Sequence, residues 1–294
     1  MNALTNTPVI NWHVTEACNY RCRNCYAKWE EPDEPELIRD PSASAALIQA
    51  LFAGFAQTGA CRPPRLNFAG GEPLLHAGRV VRAMEVARDV GFDVSLICNG
   101  SRLDDGVATR MAPHLSMLGV SVDAAAPAVN ALIGRADQRG EQLDLGRLVD
   151  CISRMRRINP SMTLKVNTVV NDANWQEDLR PLIEALSPSR WKVLRMLPVV
   201  TDRLAPSDAQ FNAFVDRHRA LGAIMNVEDN DDMVESYIMV DPHGRFFQNR
   251  PHGRGYAYSL PILTVGARAA FEQIRWSVRK FESRYPTIRL ASAA

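Results

Sequence analysis

Three cysteines, Cys18, Cys22 and Cys25, fall in the spacing CxxxCxxC and make up half of the six cysteines in the chain. Thiolates this close in sequence converge on one soft metal centre. A cubane of four irons held by only three cysteines leaves one iron open, and an open iron is a place to do chemistry. Zinc is the rival reading. Zinc sites, however, usually draw on two ligand pairs well apart in sequence, and the chain has no second CxxC and no HxxxH. The spacing favours an iron–sulfur cluster. Cys61, Cys98 and Cys151 stand alone and read as small buried hydrophobes, with Cys98 placed at the end of an expected strand.

The cysteine loop needs a rigid mount, and residues 8–14, with Val9, Ile10, Trp12 and Val14 apolar, read as a buried strand that the loop leaves from its C-terminal end. Further strands are expected at 65–69, 93–98, 117–123, 163–170 and 190–197, with helices at 42–55, 77–90, 103–112, 145–158 and 175–186 between them. Ser42 or Ser44 can cap the first of these helices. Six β/α units in succession predict an α/β fold, a partial (βα)6 TIM barrel with its active site at the C-terminal ends of the strands. Residues 1–200 would form this barrel, and 201–294 a C-terminal extension that packs on it and closes it. In that extension we expect a helix at 207–222, a solvated acidic turn at 228–232, a hairpin over 236–241 and 245–247, and a last helix at 267–284.

Net charge is +1, from 34 basic and 33 acidic residues, so a protein that coats nucleic acid is not expected and any anion site must be local. No apolar run approaches the ~20 residues of a membrane span, and the N-terminus carries no signal-peptide core, which predicts a cytoplasmic protein with no membrane partner.

Residues two apart on a strand share a face. On five of the six expected strands one face carries a polar pair: Asn11 with His13, Arg65 with Asn67, Ser121 with Asp123, Lys165 with Asn167, and Arg190 with Lys192. The opposite faces are apolar, as helix-covered faces should be, so the polar pairs point into the barrel. Four unpaired buried cations would cost several kcal/mol each. Arg65, Lys165, Arg190 and Lys192 therefore call for an anion, and a polyphosphate suits the planar fork of Arg and the mobile charge of Lys. The alternative is that some of them snorkel to the rim or pair with Glu72 or Asp123.

The phrases NWHVTEACNYRCRNCY, LNFAGGEPLL, CNGS, VSVDAAAPAVNALIGR, LKVNTVVN, LSPSRWKV and SYIMVDPHGRFFQN occur in this order between Asn11 and Asn249. Together they resemble the viperin family of radical S-adenosylmethionine (SAM) enzymes. The resemblance implies a 4Fe-4S cluster on Cys18, Cys22 and Cys25, and SAM bound by Gly70, Gly71, Glu72, Asn99, Ser121, Arg135 and Asn167. It implies a nucleoside triphosphate substrate lined by Asn11, His13 and Arg65 and gripped by Lys165, Arg190 and Lys192, with Tyr237 as a catalytic proton or hydrogen donor. Arg65 stands where animal viperins usually have Lys, and Ala69 where they have Ser. The implied reaction uses a 5′-deoxyadenosyl radical to take hydrogen from C4′ of the ribose. Loss of the 3′-hydroxyl as water and a second reduction then give the 3′-deoxy-3′,4′-didehydro analogue, a chain terminator in antiviral defence. A one-electron donor such as flavodoxin or ferredoxin is the implied partner. Two other readings stay open on the residues alone: a radical SAM enzyme acting on a peptide or cofactor precursor, and a non-catalytic module with a structural metal and a basic mouth for nucleic acid.

Overall fold

In strand β5 (Thr163–Val170), Leu164, Val166, Thr168 and Val170 are buried while Lys165, Asn167 and Val169 are half-buried. One face must then be covered by helices and the other turned to an inner space, the division seen in barrel strands. It recurs in β1 (Val9–His13), β2 (Arg65–Ala69), β4 (Met117–Ser121) and β6 (Arg190–Arg195), where Ile10, Trp12, Leu66, Phe68, Leu118, Val120, Trp191 and Val193 have no solvent exposure. The structure, a computed structural model, describes residues 6–27, 35–56, 62–250 and 254–284, so Cys61 lies outside the described residues.

With β3 (Asp93–Cys98), strands β1 to β6 run parallel in sequence order. Their crossovers carry α1 (Pro41–Phe55), α2 (Ala77–Val90), α3 (Asp105–Met111), α4 (Pro127–Ile133), α5 (Leu145–Ile158) and α6 (Arg180–Leu186). The sheet stays open, a partial (βα)6 barrel. The N-cap of α1 is Asp40, which accepts from Ser42 N and Ala43 N ahead of Pro41, rather than either serine; Ser44 instead donates to Leu37 O. Helix α4 was not expected, and α6 begins five residues later than the 175 anticipated from the sequence.

Beyond residue 200, α7 (Asp208–Arg217) leads to β7 (Met225–Glu228), which pairs parallel with β6. After α8 (Asn230–Met233), β8 (Ile238–Val240) pairs parallel with β1 and antiparallel with β9 (Arg245–Asn249), which pairs with β10 (Tyr256–Pro261). Later segments therefore extend both edges of the barrel sheet, and β7 and β8 face each other across its opening without a backbone ladder. The acidic run at 228–232 is not a solvated turn: Glu228 ends β7 and is 4% exposed, and Asp229 caps α8.

The last expected helix is broken into α10 (Ala267–Phe271) and α11 (Val278–Ser283), with α9 (Ile262–Val265) ahead of them. Residues five apart on a helix point about 140° away from each other. The break lets Trp276 stand between Phe271 and Phe281, with ring centroids 5.4 and 5.3 Å away, while Ser277 bonds Glu235 O and caps α11. Among the described residues no helix is long and apolar enough to cross a membrane.

Candidate active site

The cysteine loop leaves β1 and is held along both sides by backbone bonds. Gly71 N donates to Thr15 O (2.7 Å) and Glu72 N to Ala17 O (2.8 Å), while Arg23 N donates to Ile133 O (2.8 Å) at the end of α4. Cys18, Cys22 and Cys25 together line one cavity of about 260 Å³. Backbone N–H groups of Tyr20 and Ala27 and the Asn99 amide point at Cys18 and Cys25 sulfurs (3.4, 3.3 and 3.9 Å), the kind of bond that tunes a cluster-ligating thiolate. Burial, only partly offset by Arg135, pushes the Cys22 thiol up to about 12, so it waits as a thiol and must give up its proton to a metal. Among the described residues no three His, Cys, Asp or Glu side chains are gathered as a single metal ion requires.

A missing Cβ lets backbone come close, and at Gly70 and Gly71 the chain itself approaches. A Cβ on Gly71 would lie 2.4 Å from both Glu16 O and Ala17 O, and one on Gly70, at φ +146°, 2.6 Å from Thr15 O. Both glycines still line the cavity, but their missing side chains seat the cysteine loop against the end of β2. Gly71→Ala is expected to cost about 1–3 kcal/mol and to reduce the iron bound per chain after reconstitution. Gly78→Ala, inside α2 with nothing within 4 Å, is the control that should leave iron content unchanged and the melting temperature unchanged or slightly raised.

Glu72 does not line the cavity. Fully buried, it accepts from Leu74 N (2.9 Å) and Asn99 N (2.7 Å) and so ties the end of β2 to that of β3. Burial raises its carboxyl to about 7. Asn99 turns its amide to Asn19 Oδ1 (3.0 Å) and the Cys18 sulfur. Arg135 sits in the wall, paired with Asp123 (3.0 Å) and donating to Ser121 O (2.5 Å). Asp123 also accepts from Val169 N (2.8 Å), so its carboxylate is held from two sides and fixes the guanidinium in place. Asn167, beside Ser121 in register, lines the cavity with a buried Oδ1 that has no hydrogen-bond partner, a position a ligand hydroxyl would satisfy.

On the other wall, Asn11, Asn67 and Ser95 form a relay across three strands: Ser95 Oγ donates to Asn67 Oδ1 (2.8 Å) and Asn67 Nδ2 to Asn11 Oδ1 (3.0 Å). His13 is buried edge-on to Phe247, and burial lowers it to about 3, which keeps the imidazole neutral. Lys165 and Lys192 line both this cavity and a smaller one of about 40 Å³ beneath it. Arg65 and Arg190 line only the smaller one, because each is the first residue of its strand and therefore stands at the barrel floor.

The four cations do not all wait for an anion. Arg65 is met by Asp93 (2.9 Å), its partner in the β2/β3 register, and Lys192 by Glu228. Neither carboxylate is one the sequence suggested. Glu228 also accepts from Tyr237 OH (2.5 Å) and from Arg284 Nε (3.3 Å), and Lys192 Nζ lies 3.3 Å from the Tyr237 hydroxyl. Lys165 makes no hydrogen bond or ion pair among the described residues. Burial, with Arg65 and Arg284, lowers it to about 8. Burial opposes charge on Glu228, yet Lys192 and Arg284 hold its carboxyl at about 2; burial and Arg284 push Lys192 down too. Acid and bases moving the same way mark a hollow with surplus positive charge. Sequence reasoning missed Glu228 and Arg284. The alternation of Met225, Asn226, Val227 and Glu228 after Gly222 was the available signal for a seventh strand, and nothing local marked Arg284.

Residues 12–172 match the Radical SAM superfamily, more than half of the chain. The S-adenosylmethionine-dependent nucleotide dehydratase of Pseudoalteromonas ulvae is 38% identical over 292 residues, 97% of this chain and 95% of that protein. The protein of the same name from Psychrobacter lutiphocae is 41% identical over 282 residues, 94% of each. Among solved structures, native anSMEcpe with bound AdoMet and Kp18Cys peptide aligns at a TM-score of 0.68 over 94% of this chain and 83% of that one, at 13% identity, a likeness of fold. With the thiol trio and the glycine pair opening on one cavity, the chain belongs to the radical SAM superfamily and, within it, to the viperin-like family of S-adenosylmethionine-dependent nucleotide dehydratases.

Proposed function

We propose that this enzyme converts a nucleoside triphosphate into its 3′-deoxy-3′,4′-didehydro analogue for antiviral defence. The observation that supports this reading is a shared wall: Lys165, Lys192 and Tyr237 line both the cavity bordered by Cys18, Cys22 and Cys25 and the smaller one lined by Arg65, Arg190 and Arg284. The donor sets suit the two cofactors. Cys18, Cys22 and Cys25 would hold a 4Fe-4S cluster, and the glycine-loop backbone, Ser121, Arg135 and the orphaned Asn167 would hold SAM. When bound, they would supply a carbon-centred oxidant, formed by one-electron reduction of SAM, that takes the hydrogen at C4′; departure of the 3′-hydroxyl with one proton as water, and a second electron from the donor, would then complete the didehydro product.

The chain's own residues bind, orient and shelter. Cations at the floor anchor the triphosphate, so the ribose is held at the level of Asn11 and His13, and the relay from Ser95 through Asn67 fixes the Asn11 amide. Neutral His13 can take or give a hydrogen bond without adding charge beside the sugar. Tyr237 borders both cavities and is the hydroxyl available to move a proton near the leaving group. Anaerobic iron–sulfur reconstitution, then dithionite, SAM and each nucleoside triphosphate in turn, tests the reading. We expect 5′-deoxyadenosine in proportion to a nucleotide product lighter by one water. SAM cleavage indifferent to every triphosphate would refute it.

The lysine chemistry also sets a pH limit. Lys165 in the empty hollow loses its proton at about 8, and an incoming anion favours the charged form. Above that pH, binding must take up a proton, so KM for the nucleotide is expected to rise by up to about tenfold per pH unit between 8 and 9. Lys165→Arg, which stays charged, should flatten the rise. The check is KM measured from pH 7 to 9 for both proteins.

A further inference from the structure

The seam between β7 and β8 has no backbone ladder, and the side chains that span it are not interchangeable packing. Glu228, the last residue of β7, receives Lys192 from β6, the Tyr237 hydroxyl from just ahead of β8, and Arg284 from the end of α11. Arg284 in turn donates to Ser236 O (2.9 Å) and lies over the Tyr237 ring at 3.4 Å from its centroid. Lys192 and Tyr237 line both cavities and Arg284 the smaller one, and Glu228, which lines neither, is the carboxylate all three share.

We propose that Glu228 is a positioning residue: it aims Lys192 and Tyr237 at the substrate and, as a fixed internal counter-charge, keeps the hollow from holding polyphosphate too tightly. This rests on the proposed triphosphate reading. A carboxylate that accepts from Tyr237 fixes which way that hydroxyl points, and Lys192, drawn to the same carboxylate, is set beside it before any ligand arrives. The charged groups that face Glu228 are Lys192, Arg284 and, further off, Lys165, with Arg65 and Arg190 on the same floor. Asp93 is the other carboxylate here, but it is paired with Arg65; removing the charge of Glu228 strengthens the cations' common pull on an anion and makes the lysines harder to protonate.

The test uses the reconstituted, SAM-loaded enzyme and inorganic tripolyphosphate, which probes the floor without a base or sugar. At pH 6, well below the value of about 8 to which Lys165 is lowered, Glu228→Gln is expected to bind tripolyphosphate about tenfold more tightly than the parent. Titration calorimetry in two buffers at pH 8 should show more protons taken up per anion bound, and turnover of the nucleotide should fall at least about tenfold, a lower KM beside a lower kcat. A purely structural role would instead weaken binding and lower kcat together. Glu228→Asp keeps the charge but not the reach, so it should bind tripolyphosphate within about twofold of the parent while kcat still falls; it also serves if the Gln variant does not fold. Parent-like affinity and proton count in Glu228→Gln, or parent-like kcat in Glu228→Asp, overturns the proposal alone. A parent enzyme that binds no tripolyphosphate and turns over no nucleoside triphosphate overturns it together with the reading beneath it.

Discussion

Cys22→Ser is expected to abolish SAM cleavage while leaving the fold intact. Cys22 belongs to a loop whose course is set by backbone bonds to Thr15, Ala17 and the end of α4, not by the thiol, so the loop should keep its path with serine in place. A hydroxyl cannot do what the thiolate does. Serine is far harder to ionise and a poor ligand for iron, and burial already pushes the native Cys22 thiol up to about 12 without a metal. Anaerobic reconstitution should give iron well below the parent content, loss of the charge-transfer absorbance of the cluster, and no 5′-deoxyadenosine above the protein-free blank. Cys151→Ala is the matched control: Cys151 is buried on α5, away from the cavity, and its loss should cost stability and not cluster. Full SAM cleavage by Cys22→Ser would remove the trio from the cofactor site altogether.

Much of the site was legible because a strand has only two faces. Lys165 and Asn167 could be assigned to the inside from the fact that Leu164, Val166 and Val170 must be outside, and the structure agrees. What the rule does not carry is height along the barrel. Arg65 and Arg190 face inward as expected, yet as first residues of their strands they stand at the floor, below the larger cavity. Counter-charges were harder still. Asp93 is opposite Arg65 only once β2 and β3 are in register, and Glu228 finds Lys192, Tyr237 and Arg284 only because β7 and β8 meet across an open seam. An acidic run after a four-residue strand resembles a solvated turn when the cations that bury it come from distant stretches of sequence. The glycine pair shows another limit of sequence, since a missing Cβ makes room equally well for a ligand and for the protein's own carbonyls, and here Gly70 and Gly71 line the cavity while also seating the cysteine loop.

Lys192→Ala is expected to cost more than Lys165→Ala, although both are single lysines at the same hollow. Losing Lys165 removes one charged contact to the substrate, roughly 1.5–3 kcal/mol, and should lower kcat/KM for the nucleotide about ten- to a hundredfold. Losing Lys192 removes a comparable contact and also frees a buried carboxylate. Glu228 would keep Arg284 and the Tyr237 hydroxyl as partners, so the fold should survive, but part of its charge would then face the incoming triphosphate. Lost attraction and added repulsion together come to about 4 kcal/mol, or roughly a thousandfold in kcat/KM. The excess over Lys165→Ala should be recovered in the double variant Lys192→Ala with Glu228→Gln, where no carboxylate is left unbalanced. Kinetics of the four proteins at limiting nucleotide decide the matter: equal losses in the two single variants, or no recovery in the double, would mean that Lys192 and Glu228 act independently on the substrate.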